Sequence, residues 1–374
     1  AGFARRASPR RRSPRAVRAM RRRPAFRAHA FDRLFSSWEE GLEYRPMVKF
    51  IARHIVKFIL LMVAVSIVAF VLVAVSPVDP VQANSGQAAL ASMSAEKKAQ
   101  LAAYWGADLP LWQRYGEWAA SALQGDMGQS LRYNAPVVDV IAWRAGNSLL
   151  LMGCAWVLSG VLGFVLGVAS GLRRDGLLDR IVRAYCYVLA STPTFWLGLV
   201  ALVVFGVALG WFPIGFSVPI GMAAQDVGIG DILYHMALPA LVLSFVGVAN
   251  IALHTREKTI DAMGSEYMRF ARAQGRSRWS AFRKHGLRNV TLPAITLQFA
   301  SISEIFGGSI LVEQVFSYPG LGQAAVTAGL GGDAPLLVGI ALVSAAIVFG
   351  GNLAANILYG VIDPRIRKGA AHAL

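Results

Sequence analysis

Six long apolar segments constrain the fold more than any other feature of the sequence. The first of them, residues 58–78, contains no charged side chain. A helix needs roughly 20 predominantly apolar residues to cross the hydrocarbon core of a bilayer, and a surface helix of a soluble protein is apolar on one face only. The segments therefore predict six transmembrane helices, at residues 58–78, 145–172, 184–210, 236–253, 292–312 and 336–359.

The composition agrees with a membrane protein built only from helices. Of the 374 residues, 55% are apolar and only 16% are charged, which is too apolar for a soluble domain of this size. Pro193 lies inside the third segment and predicts a kink, because proline removes a helical hydrogen bond. Cys154 and Cys186 lie in separate apolar runs and predict buried free thiols. Neither cysteine has metal-site spacing, and the sequence predicts no cofactor.

The net charge of +16 raises the question of nucleic-acid binding, and its distribution argues against it. Residues 1–46 hold 13 arginines and 4 acidic residues, among many Pro, Ser and Ala. Such a segment cannot bury a core and is predicted to be disordered, meeting anionic lipid or RNA only through nonspecific charge. No apolar stretch directly follows the arginines, so a cleaved export signal is not expected. We expect translation to start at Met47, and we expect no nucleic-acid partner.

The predicted organisation follows from these segments. A disordered Arg-rich extension (1–46) precedes the first transmembrane helix (47–76) and a long extracytoplasmic loop (77–146). A core transmembrane domain (147–374) holds the other five helices and, between the fourth and fifth of them, the basic loop 256–291.

Lysine and arginine between the segments predict the direction of each helix, because short loops rich in these residues stay in the cytoplasm. With the N-terminus placed inside and counting from Met47, the inner segments hold 19 basic residues and the outer segments hold 5. All 5 lie in loop 77–146, and the two short outer loops have none. Both termini are therefore predicted to be cytoplasmic.

The outer loop 77–146 is predicted to be partly helical. Ser94 followed by Glu96, and Asp108 followed by Pro110, are typical of helix starts. Its aromatic residues suit either an amphipathic layer at the lipid interface or a small packed subdomain, and the sequence leaves both open. These residues are Tyr104, Trp105, Trp112, Tyr115 and Trp118.

The loop 256–291 is long, basic and compatible with helix. Gly275 is predicted to break it into two short helices, because glycine ends helices and permits a tight turn. Two helices joined by a turn would form a stubby projection from the membrane. Periodicity alone leaves two roles open: an amphipathic helix that lies on anionic lipid, or a lever that docks on a partner protein.

Motifs along most of the chain from Met47 onward resemble the permeases of the dipeptide, oligopeptide and nickel family of ABC importers. Each motif is weak by itself, but their order and spacing together are specific. In sequence order they are SPVDP at 76–80, GDMGQSL at 125–131, PTFWLG at 193–198, EYMRFARAQG at 266–275, RN at 288–289, LP at 292–293, VEQVF at 312–316, YPGLG at 318–322 and DPR at 363–365.

The resemblance implies a coupling role for loop 256–291. In this family the glycine-containing inner loop docks in a groove of a separate ATP-binding subunit. The general Glu-Ala-Ala of ABC permeases is replaced here by Arg269-Phe270-Ala271, and the gap from the glycine to the Leu-Pro pair is longer, both typical of the peptide and nickel branch. Carried over to this sequence, the docking elbow would be Ala271, Ala273 and Gly275, flanked by Glu266, Arg269 and Arg272.

The resemblance also implies a type I ABC importer fold and transport by alternating access, in a bacterial or archaeal plasma membrane. The expected partners are a second homologous permease as a heterodimer, two ATP-binding subunits, an extracytoplasmic substrate-binding protein and membrane lipid. The chain has no GxxxxGK[ST] phosphate loop, so we expect a transport subunit and not an ATPase. Peptide is the first choice of substrate on family frequency, with nickel or another small solute as alternatives.

Three polar residues of the spans are candidates for the translocation path or a gate. Glu304 falls about 13 residues into the fifth segment, roughly 18 Å deep, where a carboxylate facing lipid is costly. It either bonds a neighbour or the partner permease, or lines the path. Glu313 is either a solvated helix end, or an outer gate or a contact for the binding protein. Asn250 either snorkels or caps its helix, or contacts substrate.

Two other classes of membrane protein fit the sequence less well. A secondary transporter or channel would show more intramembrane charge and often inverted repeats, and neither is clear here. A membrane enzyme would need clustered His, Asp or Glu near one membrane face, whereas the six histidines are scattered.

Overall fold

A computed structural model of the chain describes residues 52–75, 94, 96, 109–222 and 226–362. The predicted extension 1–46 and the expected start at Met47 lie outside the described residues. Both expectations therefore stay predictions.

Helices make up almost all the regular structure of the described residues, which confirms the all-α prediction. Residues 202–208 of α5 and 282–286 of α8 have π-helical hydrogen bonds. In chain order the elements are α1 (Ala52–Ala74), α2 (Leu111–Leu123), β1 (Gln129–Ser130), β2 (Ala135–Pro136), α3 (Val137–Leu172), α4 (Leu177–Ala190), α5 (Thr194–Ala208), α6 (Ile229–Gly264), α7 (Glu266–Ala273), α8 (Arg278–Ala300), α9 (Ile302–Val315), α10 (Leu321–Leu330) and α11 (Ala334–Ile362).

Three helices of the described residues, α1, α3 and α11, are long and apolar enough to cross a membrane. Three bent pairs also pass this test: α4 with α5, the two halves of α6, and α8 with α9, with bends of 107°, 45° and 48°. The total is six, as predicted, when each pair is one span. The predicted limits are too short, because α3 begins at Val137 and α6 extends from Ile229 to Gly264. Hydropathy marks only the part of a helix inside the hydrocarbon core, and these helices continue beyond it.

The bend between α4 and α5 confirms the kink predicted at Pro193. This residue precedes α5 in an extended conformation, with φ −60° and ψ 135°. Proline lacks the N–H that would continue the helical ladder, and it disfavours a helical conformation in the residue before it. The outcome is a full break, since the two helices meet at 107°.

The largest apolar core lies where α3, α6 and α9 meet, and includes Leu151, Leu243 and Val312. Both cysteines are free thiols, with Cys186 buried and Cys154 half-buried. This core joins the spans on which the candidate site residues lie.

Contacts along α3 show the relative directions of the spans. A Cβ atom on Gly163 would meet Ile251, and one on Gly171 would meet Thr259, so α3 and α6 run parallel. The α8–α9 pair runs antiparallel to α3. Gln298 contacts Trp156, whereas residue 313, later in the pair, contacts residue 148, earlier in α3. We call the end of the bundle that carries α7 the hairpin end, and the opposite end the far end.

Glycines recur every fourth residue where α3 packs against α6. At the middle one, Gly167, a Cβ atom would lie 2.6 Å from the Ala252 carbonyl oxygen and 2.7 Å from Thr255 Cβ. These distances are shorter than van der Waals contact permits. The two helix backbones therefore touch directly, which small residues allow inside membranes.

Gly167→Ala is expected to lower the thermal unfolding midpoint of the purified protein in detergent. The added methyl group must push α3 and α6 apart, and overpacking of this kind costs about 1–3 kcal/mol. The matched control is Gly153→Ala on the same helix, where a Cβ atom meets nothing within 4 Å. The control should unfold at or above the wild-type midpoint because alanine favours helix. Equal midpoints for the two variants would contradict the direct backbone contact.

Helix α2 packs on α1 through aromatic side chains. The Phe70 ring of α1 lies 5.5 Å from the Tyr115 ring and 5.8 Å from the Trp118 ring. The Tyr115 hydroxyl is also 2.7 Å from Ser66 Oγ. Trp112, in contrast, is 75% exposed. The predicted helix after Pro110 is confirmed. One face of it packs on α1 and the other is exposed. Tyr104 and Trp105 lie outside the described residues.

The GDMGQSL motif continues into a two-stranded hairpin that is tied to the start of α11. Asp333 is buried, and its Oδ2 atom accepts hydrogen bonds from Ser130 Oγ at 2.6 Å and from the Arg132 N–H at 3.0 Å. Its Oδ1 atom accepts from the Leu336 N–H at 3.3 Å, in the first turn of α11. One carboxylate therefore joins the loop 77–146 to the last span.

Candidate functional site

Helix α7 and the first turns of α8 form a two-helix projection, which we call the basic hairpin (residues 265–286). It holds six lysine or arginine residues. Gly275 makes the turn at φ +83°, and its N–H donates to the Arg272 carbonyl oxygen at 2.9 Å. Ser277 Oγ then accepts from the Ser280 N–H at 3.3 Å, which caps the start of α8. The predicted projection with a break at Gly275 is confirmed.

The interior of the basic hairpin is small and apolar. Met268, Ala271 and Ala281 are buried together, and Met263 of α6 packs against them. Ala271 is only 4% exposed. Its side chain therefore supports the predicted docking elbow from inside, and it does not form part of the elbow's surface.

The other predicted coupling residues lie on the outside of the basic hairpin. Among them, the Arg269 guanidinium donates to the Gly264 carbonyl oxygen, with Nη2 at 3.2 Å, and so holds α7 against the end of α6. The rest of this surface is free to meet another molecule. The exposed residues of the predicted set are Glu266, Arg269, Arg272, Ala273 and Gly275.

Three large aromatic side chains of the basic hairpin are exposed, Tyr267 (43%), Phe270 and Trp279, and the sequence reasoning did not single them out. Phe270 is 67% exposed in the middle of α7, and Trp279 is 55% exposed in the first turn of α8. Trp279 stacks on Phe282, with ring centroids 6.1 Å apart. The sequence did carry a signal for such exposed residues. An apolar residue stands between two arginines, at a position where an amphipathic helix would carry a polar side chain.

A buried ion pair fixes α4 to α6 at the hairpin end. Arg256 binds Asp179 with both ends of its guanidinium, with Nε 2.6 Å from Oδ1 and Nη2 2.8 Å from Oδ2. Ser170 Oγ also donates to Oδ1, and the Asp175 N–H donates to Oδ2 at 2.9 Å. Asp179 is fully buried and Arg256 nearly so. The paired charges therefore fix α6 nine residues before the basic hairpin begins.

Glu304 lies in the first turn of α9, on an exposed face of its span. Gly307 and Leu311 continue this face, and a Cβ atom on Gly307 would meet nothing within 4 Å. Within the described part of the chain, Glu304 makes no hydrogen bond or ion pair. Asn250 is also exposed, on α6. Both candidate residues are thus available to another molecule.

Glu313, at the end of α9, is fully buried. Its carboxylate accepts hydrogen bonds from Ser148 Oγ of α3 at 2.6 Å and from the N–H groups of Gly322 and Gln323 at 2.7 and 3.2 Å. Ser148 Oγ in turn accepts from the Leu321 N–H at 2.8 Å. We call Glu313, Ser148 and the N–H groups of residues 321–323 the carboxylate lock. It joins α9, α10 and α3 at the far end.

The interpretation of Glu313 as a solvated helix end is wrong, because its side chain has no contact with solvent. The YPGLG motif explains this burial. A Cβ atom on Gly320 would collide with the Glu313 carboxylate, and one on Gly322 would lie 2.9 Å from its Oε2 atom. The two glycines therefore leave the space that the carboxylate fills. The gate role stays a prediction.

Tyr318 lies beside the carboxylate lock and is also fully buried. Burial, together with the nearby Glu313 charge, raises the pKa of Tyr318 to about 12. The phenol therefore stays neutral at physiological pH. The neutral Tyr318 phenol covers this side of the lock and keeps water away from its carboxylate.

The bend between α8 and α9 is held by a reciprocal pair of hydrogen bonds to α3. The Gln298 carbonyl oxygen accepts from Trp156 Nε1 at 2.8 Å, and Gln298 Nε2 donates to the Trp156 carbonyl oxygen at 2.5 Å. Ser301 Oγ donates to the same Gln298 carbonyl at 2.8 Å. Side chains that bind helix carbonyls are a common cause of bends. The bend is thus a defined, fixed feature of the span.

The same elements are matched by models of known protein families. A family described as the binding-protein-dependent transport system inner membrane component matches residues 163–368, more than half of the chain. A second, described as the N-terminal part of such membrane components, matches residues 47–145. The chain belongs to this transporter family. It therefore has the type I importer permease fold, and it is a membrane-embedded transport component.

Individual relatives agree with this assignment over nearly their whole length. The oligopeptide transport system permease protein AppB of Bacillus subtilis (strain 168) is 33% identical over 321 residues, which cover 86% of this chain and 99% of AppB. A putative peptide permease protein of Brucella suis biovar 1 (strain 1330) is 38% identical over 310 residues, 82% and 95% of the two chains. The dipeptide transport system permease protein DppB of Escherichia coli (strain K12) is 30% identical over 339 residues, 86% and 99% of the two chains.

Family membership also bears on the expected partners. A binding-protein-dependent system implies a substrate-binding protein and ATP-hydrolysing subunits beside the permease. This chain is then the membrane component of such a system. The geometry above shows which parts of this permease are free to meet such partners.

Proposed function

We propose that this permease imports small peptides, forming half of a translocation path that separate ATP-binding subunits drive by alternating access. The names of the Bacillus and Escherichia relatives, for oligopeptide and dipeptide transport, support the choice of substrate. The second half of the path is a homologous permease, and an extracytoplasmic binding protein delivers the peptide. Lipid surrounds the apolar faces of α1 and α3.

The observation that carries this proposal is the construction of the basic hairpin. The apolar face of α7, with Met268 and Ala271, is already buried inside the hairpin, so it is not available to lie on lipid. The exposed side presents charged residues around Phe270. Such a rigid projection, with charged residues around a few exposed aromatic side chains, suits a groove on a soluble protein. The hairpin therefore docks on the ATP-binding subunit.

The hairpin end faces the cytoplasm in this proposal, and the far end faces outward. The excess of lysine and arginine on the hairpin side supports this direction. The C-terminal end of α11 lies on the same side, since Gly339 of α11 packs on Ile141 near the far end and the later Gly351 packs on Ile302. Both termini are then cytoplasmic.

Glu304 lines the path in this proposal, together with the exposed face that it shares with Gly307 and Leu311. An ionised carboxylate in a span is costly against lipid, so its exposed face is expected to turn to protein or water. Gly307 has no side chain on this face, which lets a partner helix or a substrate approach closely. Asn250 is the corresponding candidate on α6.

Glu304→Gln is expected to reduce peptide uptake severalfold while the complex assembles normally. The amide keeps the shape of the side chain and removes the charge that would attract cationic groups of a peptide in the path. Uptake into proteoliposomes and the yield of intact complex are measured together. Unchanged uptake with a lower yield would leave Glu304 a purely structural role.

The proposed function is tested by purifying the permease from native membranes and identifying its companions. We expect a second permease and two ATP-binding subunits, and we expect the reconstituted complex to accumulate labelled dipeptides only with ATP and the binding protein. A permease that transports without any ATPase would contradict the proposal. Uptake of nickel but not of peptide would overturn the choice of substrate.

A further inference from the structure

We propose that Glu313 is a positioning residue for transport, whose carboxylate makes α10 and the far end of α3 move as one body with α9. The inference rests on the proposed function, because it requires a hairpin that is driven from the cytoplasm. Its basis is the carboxylate lock, in which one buried side chain holds three elements together.

The chemistry of the lock makes it a strong connection. The N–H groups of Gly322 and Gln323 lie in the first turn of α10, where free N–H groups and the helix dipole favour a negative charge. Three donors converge on this buried carboxyl group, at 2.6–3.2 Å, and a buried donor that loses its acceptor carries its full desolvation cost. Removal of the carboxylate would leave these donors without their acceptor in a buried place.

A second set of bonds ties the same segment to the same face of α3. Asn147 Nδ2 donates to the Pro319 carbonyl oxygen at 2.9 Å. One turn earlier, Arg144 Nη1 donates to Gln323 Oε1 at 2.5 Å, and its Nη2 atom donates to the Tyr133 hydroxyl at 3.0 Å. Segment 319–323 therefore meets α3 at several points. Glu313 connects this contact to α9 with three hydrogen bonds, beside one long bond of 3.4 Å from Gln314 Nε2 to the Gln323 carbonyl oxygen.

The α8–α9 span connects the lock mechanically to the basic hairpin. The hairpin lies at its first residues and Glu313 near its last, with the bend between them held to α3 by the Trp156–Gln298 pair. Packed helices have low compressibility and shift as units. A displacement of the hairpin would then reach Glu313, and the lock would carry it into α10.

Spin-label distances in the assembled complex test whether α3 and α10 move together. Cysteines replace the exposed Val138 of α3 and Val326 of α10, in a background without Cys154 and Cys186. We expect one narrow distance between the labels, identical in the nucleotide-free complex and in the vanadate-trapped complex. A distance that changes between these states would overturn the proposal, because α10 would then move independently of α3.

Substitution of Glu313 tests whether the lock is needed for coupling. Glu313→Ala is expected to lower the peptide imported per ATP hydrolysed by about tenfold, within the usual range of coupling energies. It should also broaden the label distance, and Glu313→Gln should recover part of both losses. The control is Glu117→Gln, the same chemical change at an exposed residue of α2, which should leave both unchanged.

Two outcomes separate this inference from the proposed function. Wild-type coupling and a narrow label distance in Glu313→Ala would overturn the role of Glu313 alone. A wild-type complex that imports no peptide would count against the proposed function. The label distances need no transported substrate, so comparing them in wild type and in Glu313→Ala would still decide the role of Glu313. If Glu313→Ala fails to assemble, the same comparison with Glu313→Gln decides it.

Discussion

Asp179→Asn is expected to lower the free energy of unfolding of the permease by about 3–5 kcal/mol, the usual effect of removing one partner from a buried ion pair. The reason is the remaining Arg256 charge, which is nearly buried and loses both of its bonds to Asp179. The Ser170 hydroxyl and the Asp175 N–H lose an ionised acceptor as well. Denaturation in mixed micelles measures the change.

Two further variants show whether the loss comes from the buried Arg256 charge, which keeps its contact of 2.6 Å to the exposed Glu257. Asp261→Asn, which removes an exposed carboxylate 3.8 Å from Lys258, should change stability by less than about 1 kcal/mol. The apolar pair Asp179→Leu with Arg256→Met should recover most of the stability, because neither charge then remains buried. A double variant no more stable than Asp179→Asn would show that packing, and not charge, holds α4 to α6.

Gly275→Val is expected to abolish most coupled peptide uptake while membrane insertion and assembly continue. Gly275 has φ +83° and turns the chain between α7 and α8. A β-branched residue is strongly disfavoured there, because its side chain collides with the backbone at positive φ. The turn must rearrange, and the hairpin then presents a different surface. We expect uptake per ATP hydrolysed to fall by about tenfold or more.

Substitutions at Gly275 and Gly264 separate the effect of backbone conformation on coupling from the effect of side-chain size. Gly275→Asn should keep much more coupling than Gly275→Val, since asparagine tolerates the left-handed region. Gly264→Val, just before the hairpin, adds the same side chain where a Cβ atom meets nothing within 4 Å and φ is not positive. It should retain coupling. Full coupling in Gly275→Val would show that the turn is not part of the docking element.

The membrane architecture was predictable because bilayer crossing imposes a length and a composition that are visible in one sequence. The break at Pro193 and the turn at Gly275 were predictable for a similar reason, since each follows from the backbone chemistry of one residue. The helix limits were not. The polar ends of α3 and α6 continue the helices outside the hydrocarbon core, and hydropathy does not report on them.

The buried polar contacts could not be predicted because they join residues far apart in the sequence. Asp179 and Arg256 are separated by 77 positions, and Glu313 and Ser148 by 165. Each residue read alone looks like a charge or hydroxyl near a helix end. Only the packing of the spans shows that Glu313 is buried, which is why the solvated interpretation of this residue was wrong.

Coupled transport in this proposal requires contact between the basic hairpin and a nucleotide-driven subunit. Photo-cross-linking from position 270 tests this contact most directly. A photoreactive amino acid replaces the exposed Phe270 in cells that express the complete transporter, with the same substitution at the exposed Leu330 of α10 as the control. We expect a cross-linked product between position 270 and the ATP-binding subunit, and no such product from position 330. Cross-linking of position 270 to the extracytoplasmic binding protein, or to lipid alone, would contradict it.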